Sequence, residues 1–350
     1  MRLSILGAGA VGPAAAVLAV SRGHAVTLWS PRGGGTHGIG ATLTAEGAVA
    51  GTAQVNVAVD VARAVTGAEA VLICVPPHAL GPVLRRVVPV LPDGVPVLLA
   101  PSHSLAPLLL DRLLATRGAR APVGAMAVPP VHAARTGPDR VRIAALRDRV
   151  EIAAVPAAEA PALARLSATL FGIPFVPLAD ALGAALATAE PVRQAALAMA
   201  NLTRIEGAEE WDLHRAMTPA VCRVMERLDA ERVALANAYG HAVPTLAAQL
   251  AGGAVPVAPL ATMARTLAAA LGPVPGPRGL DAAHLAESVT YGLGLWLRLA
   301  APKGVPMPLT AASVAVLEAM WGTALRGDDL LEGLDLAQLP TLLREGHGRI

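Results

Sequence analysis

The sequence predicts an α/β fold in which an N-terminal doubly wound parallel sheet is followed by an all-helical half. Three observations carry this reading. Short continuous apolar runs alternate with helical spacers through the first half of the chain, at Leu3–Leu6, His24–Trp29, Ala70–Val75, Val95–Ala100 and Val123–Val128; such runs are strands covered on both faces. The first run stops at Gly7-Ala8-Gly9-Ala10-Val11-Gly12 and passes into an Ala/Val-rich helical stretch ending near Arg22. From about Leu178 the strand-like runs cease and long segments of helical periodicity take over.

The glycine segment is a G-x-G-x-x-G between a strand and a helix, with a second strand following. The bare motif is weak, but this strand–glycines–helix–strand context makes it specific for a dinucleotide. Gly7 permits the tight turn, Gly9 lets the backbone approach a pyrophosphate, and Gly12 lets helix and strand pack closely. Ala10 and Val11 open the helix whose N-terminal N–H groups face the phosphates. The first half is therefore a Rossmann domain. An NAD site usually has an acid about 20 residues past the glycines, on the ribose 2′-OH. Here the second strand runs out as Trp29-Ser30-Pro31-Arg32, with no carboxylate. Ser30 can hydrogen-bond a 2′-phosphate and Arg32 can pair with it as a planar fork, so NADP(H) is expected over NAD(H).

Later strand ends supply the rest of the cofactor edge. Val75 and Pro76, followed by Pro77 and His78, close one run; Ser102-His103-Ser104 closes another. The C-terminal ends of strands are where an open α/β sheet binds its ligand, which places Val75, Pro76 and His103 at the cofactor. Val141–Ala145 and Val150–Val155 read as a hairpin turning at Arg147-Asp148, and Phe171–Val176 as the last strand. The boundary falls near residue 177, giving a nucleotide-binding domain over 1–177 and a helical substrate domain over 178–350. In the latter, Thr218-Pro219 is a helix start, an N-cap followed by Pro in the first turn. Val221, Val224, Met225, Leu228 and Leu235 then share a face and Gly240 ends the helix. Ala251–Pro256 and Gly272–Gly279 read as loops, and no internal repeat is present.

Composition narrows the function classes. A chain of 350 residues is long enough for two cores. With 54% hydrophobic but only 2% aromatic residues, those cores must be Ala, Val and Leu, and no aromatic platform for nucleic acid exists. The net charge of +2, from 28 basic and 26 acidic residues scattered along the chain, excludes a nucleic-acid or membrane-surface partner and leaves a small-molecule substrate. Cys74 and Cys222 make neither a disulfide framework nor a metal cluster. Apolar stretches break before they reach spanning length, and the chain opens on a core strand without a leader. A soluble, cytoplasmic protein is expected, and a homodimer is compatible with all of this. Lys303 is the only lysine.

The second half carries a resemblance. Thr218-Pro219-Ala-Val-Cys-Arg-Val-Met-Glu-Arg-Leu-Asp229-Ala-Glu231-Arg232 resembles the T-P-S-V-x-x-V-x-E-x-x-D-x-E-R helix of the octopine/nopaline (opine) dehydrogenases. Val289-Thr-Tyr291-Gly292-Leu293 and Gly304-Val-Pro306-Met-Pro308-Leu309-Thr310 resemble the family's V-P-Y-G-L and G-V-P-x-P segments. Pro130–Arg135, followed by Val141–Ile143, resembles a segment of its first domain. The resemblance implies an NAD(P)-dependent oxidoreductase that joins an amino acid to a 2-oxo acid and reduces the imine. Hydride would arrive at a cleft between the domains, with a His oriented by an Asp as acid/base.

The chain departs from that pattern where the chemistry lies. The family His falls in Glu190-Pro191-Val192-Arg193-Gln194-Ala195 and is Gln194, with Asn201 matching a following Asn. The family Asp is Ser288, and an Arg implied to hold a substrate carboxylate is Ala283. An amide is neither acid nor base near neutral pH. Glu190, Glu287, His284 and His214 are available as replacement acid/base groups, and Arg193 as an anion-binding group. The residues expected at the chemistry are thus Gln194, Glu190, Arg193, His284 and Ser288. Hydride transfer to an imine or carbonyl outside the usual amino acid and pyruvate pair is expected. The alternative is a catalytically degenerate NADP-binding metabolite sensor. Ketopantoate reductases and the 2-hydroxyacid and glycerol-phosphate dehydrogenases of similar plan imply a catalytic lysine, and Lys303, in a Pro/Gly loop, does not supply one.

Overall fold

β1 (Arg2–Leu6) is buried from Leu3 onward and turns at Gly7 into α1 (Val11–Ser21), after which β2 (Ala25–Trp29) returns parallel to it, Leu3 opposite Val26. In this computed structural model the described residues are 1–251, 257–271, 273–279, 283–325 and 329–349, with the backbone alone described at 271, 283, 284 and 349. β3 (Thr42–Gly47) and β4 (Gly51–Gln54) form a detour before β5 (Asn56–Val57), which joins the edge of β2. α2 (Val61–Val65), β6 (Ala70–Ile73), α3 (Pro77–Val87), β7 (Val97–Leu99), α4 (Ala106–Arg117) and β8 (Val123–Met126) continue the alternation. β9 (Val131–Arg135), β10 (Arg140–Leu146), β11 (Val150–Val155), α5 (Ala160–Phe171) and β12 (Phe175–Pro177) follow.

Among the described residues these strands build an eight-stranded sheet, ordered β12-β11-β8-β7-β6-β1-β2-β5, and a four-stranded sheet, ordered β4-β3-β10-β9. The large sheet is the doubly wound sheet that the sequence predicts, parallel throughout except between β8 and β11. The expected hairpin of 141–155 is not formed. β10 buries Val141 and Ile143 and pairs with β9 and β3 in the small sheet, while β11 is buried along its length and joins the large one. Arg147-Asp148 marks a change of sheet rather than a turn. The expected strand at 171–176 is also shorter: Phe171 ends α5, Gly172 caps it in the left-handed region at φ +74°, and pairing starts at Phe175.

The small sheet explains the composition of α1. That helix contacts β2 and β1 on one side and β3, β4, β9 and β10 on the other. It is buried from Gly12 through Ala19, so an apolar face alone is not enough. A helix that is hydrophobic all round is a buried one, and here Ala and Val keep it thin enough for two sheets to close on it.

The chain forms two compact units, one of residues 1–185 with 330–350, the other of 186–329. α6 (Ala181–Ala187), begun by Asp180 accepting from the N–H groups of Leu182 and Gly183, is where the chain passes from the first to the second. The second unit comprises α7 (Glu190–Glu206), α8 (Pro219–Ala238), α9 (Leu246–Ala251), α10 (Leu260–Leu271), α11 (Ala283–Ser288), a π-helical turn at Val289–Leu293, α12 (Gly294–Lys303) and α13 (Pro308–Trp321). α14 (Leu339–Glu345) belongs to the first unit. There Asp111 accepts from the His347 N–H at 2.6 Å and lies 2.9 Å from its Nδ1, and Arg120 donates to the Gly348 carbonyl at 2.7 Å.

α8 organises the second unit. Thr218 caps it by accepting from Val221 N–H, as expected. Arg232, fully buried, donates to Asp229 and to the carbonyls of Leu186, Ala187 and Pro244. Asp229 in turn accepts from Leu246 N–H at 2.7 Å. The neighbouring Glu231 accepts from Leu309 N–H and from both the N–H and hydroxyl of Thr310, at 2.7–2.8 Å, which caps α13. Replacing one partner of a buried ion pair leaves the other charged and unpaired. Arg232→Ala is therefore expected to lower unfolding free energy by about 3–5 kcal/mol, read as the urea midpoint shift; a midpoint equal to that of the parent would contradict this account.

Candidate functional site

The nucleotide end of the first unit is built by steric necessity. Gly7 sits at φ +122°, and a Cβ there would collide with the carbonyl oxygen of Cys74 and press on Val75 Cγ1 at 3.1 Å. A Cβ at Gly12 would collide with the Gly7 carbonyl oxygen, whereas Gly9 is exposed beside open space. Ala10 is the N-cap of α1, and Pro13 has no N–H, so Val11 and Gly12 supply the amides of the first turn. This arrangement suits a dinucleotide: a cradle without side chains, at a helix N-terminus. Val75 is buried under the turn, and Pro76 is exposed as the N-cap of α3.

At the end of β2, Ser30 is largely buried and its Oγ accepts from Gly35 N–H at 3.2 Å, leaving its own proton to donate. Arg32 is exposed and makes no hydrogen bond or ion pair among the described residues. Two arginines that the sequence reading passed over meet this loop. Arg86 donates to the Pro31 carbonyl at 3.0 Å and lies over the Trp29 ring at 4.9 Å. Arg135 donates to the carbonyls of Ala8, Gly35, Gly137 and Pro138. No spacing signals either one, because each comes from an element distant in sequence. His103 is half-buried after β7, and burial holds its imidazole down at about 4.

In the second unit the first turn of α7 collects polar groups. Arg193 donates to Glu190 through Nε at 3.0 Å and Nη2 at 2.5 Å, and Gln194 donates to Glu190 at 2.6 Å. Gln194 is buried, while Arg193 is mostly covered. Pro191 packs on Gly292 in the π-helical turn, so closely that a Cβ on Gly292 would strike the proline ring. α7 also contacts α11, which ends at the half-buried Ser288. Asn201 kinks α7, with φ −127°, and donates to the Leu197 carbonyl at 3.0 Å. His214, only 8% exposed, has its Nδ1 buried without a partner. Burial lowers its pKa, and the nearby Arg193 charge lowers it further, against an opposing pull from Asp212. The hydrogen-bonded cluster is therefore Glu190, Arg193 and Gln194, with the charge of Arg193 felt at His214. The side chains of Ala283 and His284 lie outside the described residues.

Two hollows lie away from these groups. One of about 490 Å³ is mostly apolar and runs along α8, α9 and α10 past Ala230, Val233, Leu246 and Leu260; one of about 190 Å³ is lined by Asp111, Arg120, Glu159 and Glu345. Among the described residues no helix is long and apolar enough to cross a membrane, and no group of three His, Cys, Asp or Glu is placed to hold a metal ion.

Fold and sites together define an NAD(P)-dependent oxidoreductase with a Rossmann sheet and a helical unit. Residues 177–321 match the family described as NAD/NADP octopine/nopaline dehydrogenase, alpha-helical domain, and residues 2–101 match the NAD-dependent glycerol-3-phosphate dehydrogenase N-terminus. An opine dehydrogenase of Arthrobacter sp. (strain 1C) is 25% identical over 348 residues, covering 96% of this chain and 95% of that protein. The structure of octopine dehydrogenase with NADH and L-arginine superposes with a TM-score of 0.78 at 16% identity, covering 99% of both chains. Yersinopine dehydrogenase with NADP+ bound gives 0.72 at 19% identity, covering 98% of this chain and 97% of that one. The helical unit thus matches the opine dehydrogenase family over 177–321, and the chain is similar to an opine dehydrogenase along nearly its whole length.

The His103 environment has a measurable consequence. Its folded pKa of about 4 lies below the ordinary histidine value of 6.5, so the unfolded chain binds the proton more readily. This leaves stability unaffected above the ordinary value and erodes it as pH falls from there through about 4. His214, shifted in the same direction, adds to the decline. The urea midpoint is expected to fall across this window, and less steeply in His103→Gln. Superimposable pH profiles for parent and variant would show that the imidazole does not contribute.

Proposed function

We propose that the protein is an NADP(H)-preferring reductase that delivers hydride to an imine or carbonyl other than the one made from an ordinary amino acid and pyruvate. The observation that carries this reading is the first turn of α7. At the position where the family resemblance implies a histidine, Gln194 is buried and donates to Glu190 at 2.6 Å. An amide there neither takes nor gives a proton near neutral pH. Ser288, at the position of the partner aspartate, removes the group that would orient an imidazole. Capture of an amine and an oxo acid is thereby impaired, while hydride delivery is not.

The bound cofactor supplies the hydride to the substrate carbon, and the nitrogen or oxygen takes up a proton, so that C=N or C=O becomes C–NH or C–OH. A preformed iminium already carries its proton and needs only position. Within the cluster Arg193 holds an anionic or polar arm of the substrate, its guanidinium fixed by Glu190. His214, with a buried nitrogen lacking a partner, is the imidazole to which a substrate hydrogen bond or a proton is directed. NADP(H) preference rests on Ser30 and Arg32 at the end of β2 and on the missing acid.

A second reading, an NADP-binding metabolite sensor, is favoured by the same replacements at Gln194 and Ser288. One screen separates the two. Parent protein with NADPH is assayed on preformed imines, ketones and 2-oxo acids, and with NADP+ on amino alcohols, with Gly9→Asp as a cofactor-blind control. Turnover of an imine or ketone is expected. Alanine, arginine or another ordinary amino acid with pyruvate is expected to run about 10²–10⁴-fold slower, the usual cost of a missing general acid. Brisk condensation of such a pair would overturn the reading, and tight NADPH binding without turnover of any compound would favour the sensor.

The cofactor preference has its own test. NADPH is expected to bind more tightly than NADH, and Arg32→Ala to weaken NADPH by roughly tenfold, the scale of one charge-assisted contact, while leaving NADH nearly unchanged. Equal affinity of the parent for the two cofactors would sink it.

A further inference from the structure

We propose that Arg135 is a positioning residue for the nucleotide site, bolting the Arg32–Thr36 loop to the glycine-rich turn so that the cofactor meets both as one preformed surface. The inference rests on dinucleotide binding at this turn and not on the choice between NADP(H) and NAD(H).

The geometry is specific. Nη1 of Arg135 donates to the carbonyl of Ala8, inside the glycine-rich turn, and to that of Gly35 at 2.5 Å. Nη2 donates to the Pro138 carbonyl, and Nε to the Gly137 carbonyl at 3.1 Å. One planar guanidinium thus joins three backbone segments that are far apart in sequence. A lysine ammonium, a point donor, cannot reproduce a fork of this shape. Arg135 ends β9, so the small sheet that covers α1 also delivers this side chain to the front of the helix.

The loop needs such a bolt. It reads Arg32-Gly33-Gly34-Gly35-Thr36, and consecutive glycines lose more freedom on ordering than any other residues. Its own bonds are all local: Gly33 N–H donates to the Ser30 carbonyl at 3.1 Å, Thr36 through its N–H and its hydroxyl at 3.0 Å and His37 N–H at 2.9 Å donate to the Gly33 carbonyl, and Gly35 N–H donates to Ser30 Oγ at 3.2 Å. The loop also lies tightly on the turn. A Cβ at Gly35 would come within 2.8 Å of Ser30 Oγ and 3.2 Å of Ala8 Cβ. Without Arg135 the same cofactor contacts would require the loop to be ordered on binding, and that ordering opposes affinity. Arg135 donates to backbone carbonyls of the glycine-rich turn, the Gly35 loop and its own turn, so the effect expected of it is on binding.

The test compares Arg135→Met, Arg135→Lys and Gly35→Ala with the parent. Dissociation constants for NADPH and for NADH are measured by fluorescence titration, and amide hydrogen exchange is followed at Gly33–Thr36. Arg135→Met is expected to weaken both cofactors by about 10–100-fold, the range for one to two lost charge-assisted hydrogen bonds, and to speed exchange in the loop. Added guanidinium ion should restore part of the affinity in Arg135→Met, and Arg135→Lys should fall between Met and parent. Gly35→Ala, which lifts from Ala8 the residue whose carbonyl Arg135 holds while keeping the arginine itself, should give the same double signature; it decides the matter if Arg135→Met does not fold. Affinities within threefold of the parent, or unchanged exchange at Gly33–Thr36, would overturn the proposal. Because Arg32→Ala is expected to affect NADPH alone, failure of the NADP reading shows as a different pattern.

Discussion

The nucleotide end of the molecule depends on one steric constraint: α1 is enclosed between two sheets. With the large sheet on one side and the small one on the other, Gly12 through Ala19 have no solvent face. Bulkier side chains in place of Ala14, Ala15, Ala16 and Ala19, all fully buried, would force the sheets apart, since close-packed interiors do not absorb extra methylenes without strain. The same enclosure fixes the start of the helix. The Gly7 turn is pressed against Cys74 and Val75, and the helix begins where Gly12 meets the Gly7 carbonyl. The amides at the helix N-terminus are consequently held by the core itself, and Arg135, at the end of β9, ties the glycine-rich turn to Gly35.

The helical unit uses a different device. Its fixed points are polar rather than small. Asp229, Glu231 and Arg232, within one turn of α8, reach the end of α6 and the starts of α9 and α13. Each accepts from or donates to backbone groups that would otherwise be orphaned at helix ends. A unit made of short, Ala-rich helices has little large apolar surface with which to set their mutual register. Directional hydrogen bonds from a central helix can do so. The π-helical turn at Val289–Leu293 follows the same logic of close approach, with Gly292 giving Pro191 room to seat the first turn of α7.

What was legible in the sequence follows from how local each signal is. Most of the large sheet was readable because β1, β2, β6, β7 and β8 lie in largely apolar runs that end at Gly or Pro, whereas β5, two exposed residues, was not read. Thr218 was readable as a cap because the cap bond spans only three residues. The small sheet was not. β3 and β4 are short and partly exposed, and β10 finds its partners in β9 and β3, so a local reading mistook it for half of a hairpin with β11. A signal did exist in α1, whose apolar residues cover every face, and a helix of that kind implies a second layer. At the candidate sites, the glycines were singled out by motif, and Gln194 and Ser288 by the family resemblance. Arg86 and Arg135 could not be found so, because they approach Pro31 and Gly35 from residues about fifty and one hundred positions away. His214 was noticed only as an available imidazole; that its nitrogen is buried without a partner beside Arg193 needed coordinates.

The signature of α8 carries the likeness to the opine dehydrogenases without describing any chemistry. Asp229, Glu231 and Arg232 are spent on holding main-chain ends, and none is left over for a substrate. Recognition of lineage and competence in catalysis therefore reside in different residues. The first is distributed through the framework, where a change would cost folding. The second, on the function proposed above, rests on the first turn of α7 and the end of α11, with Gln194 and Ser288. Such a division makes the scaffold permissive: a lineage can exchange its reaction by a few substitutions while remaining recognisable. Assigning a substrate from the signature alone would consequently report ancestry, whereas the reaction proposed above rests on the turn that carries Glu190, Arg193 and Gln194.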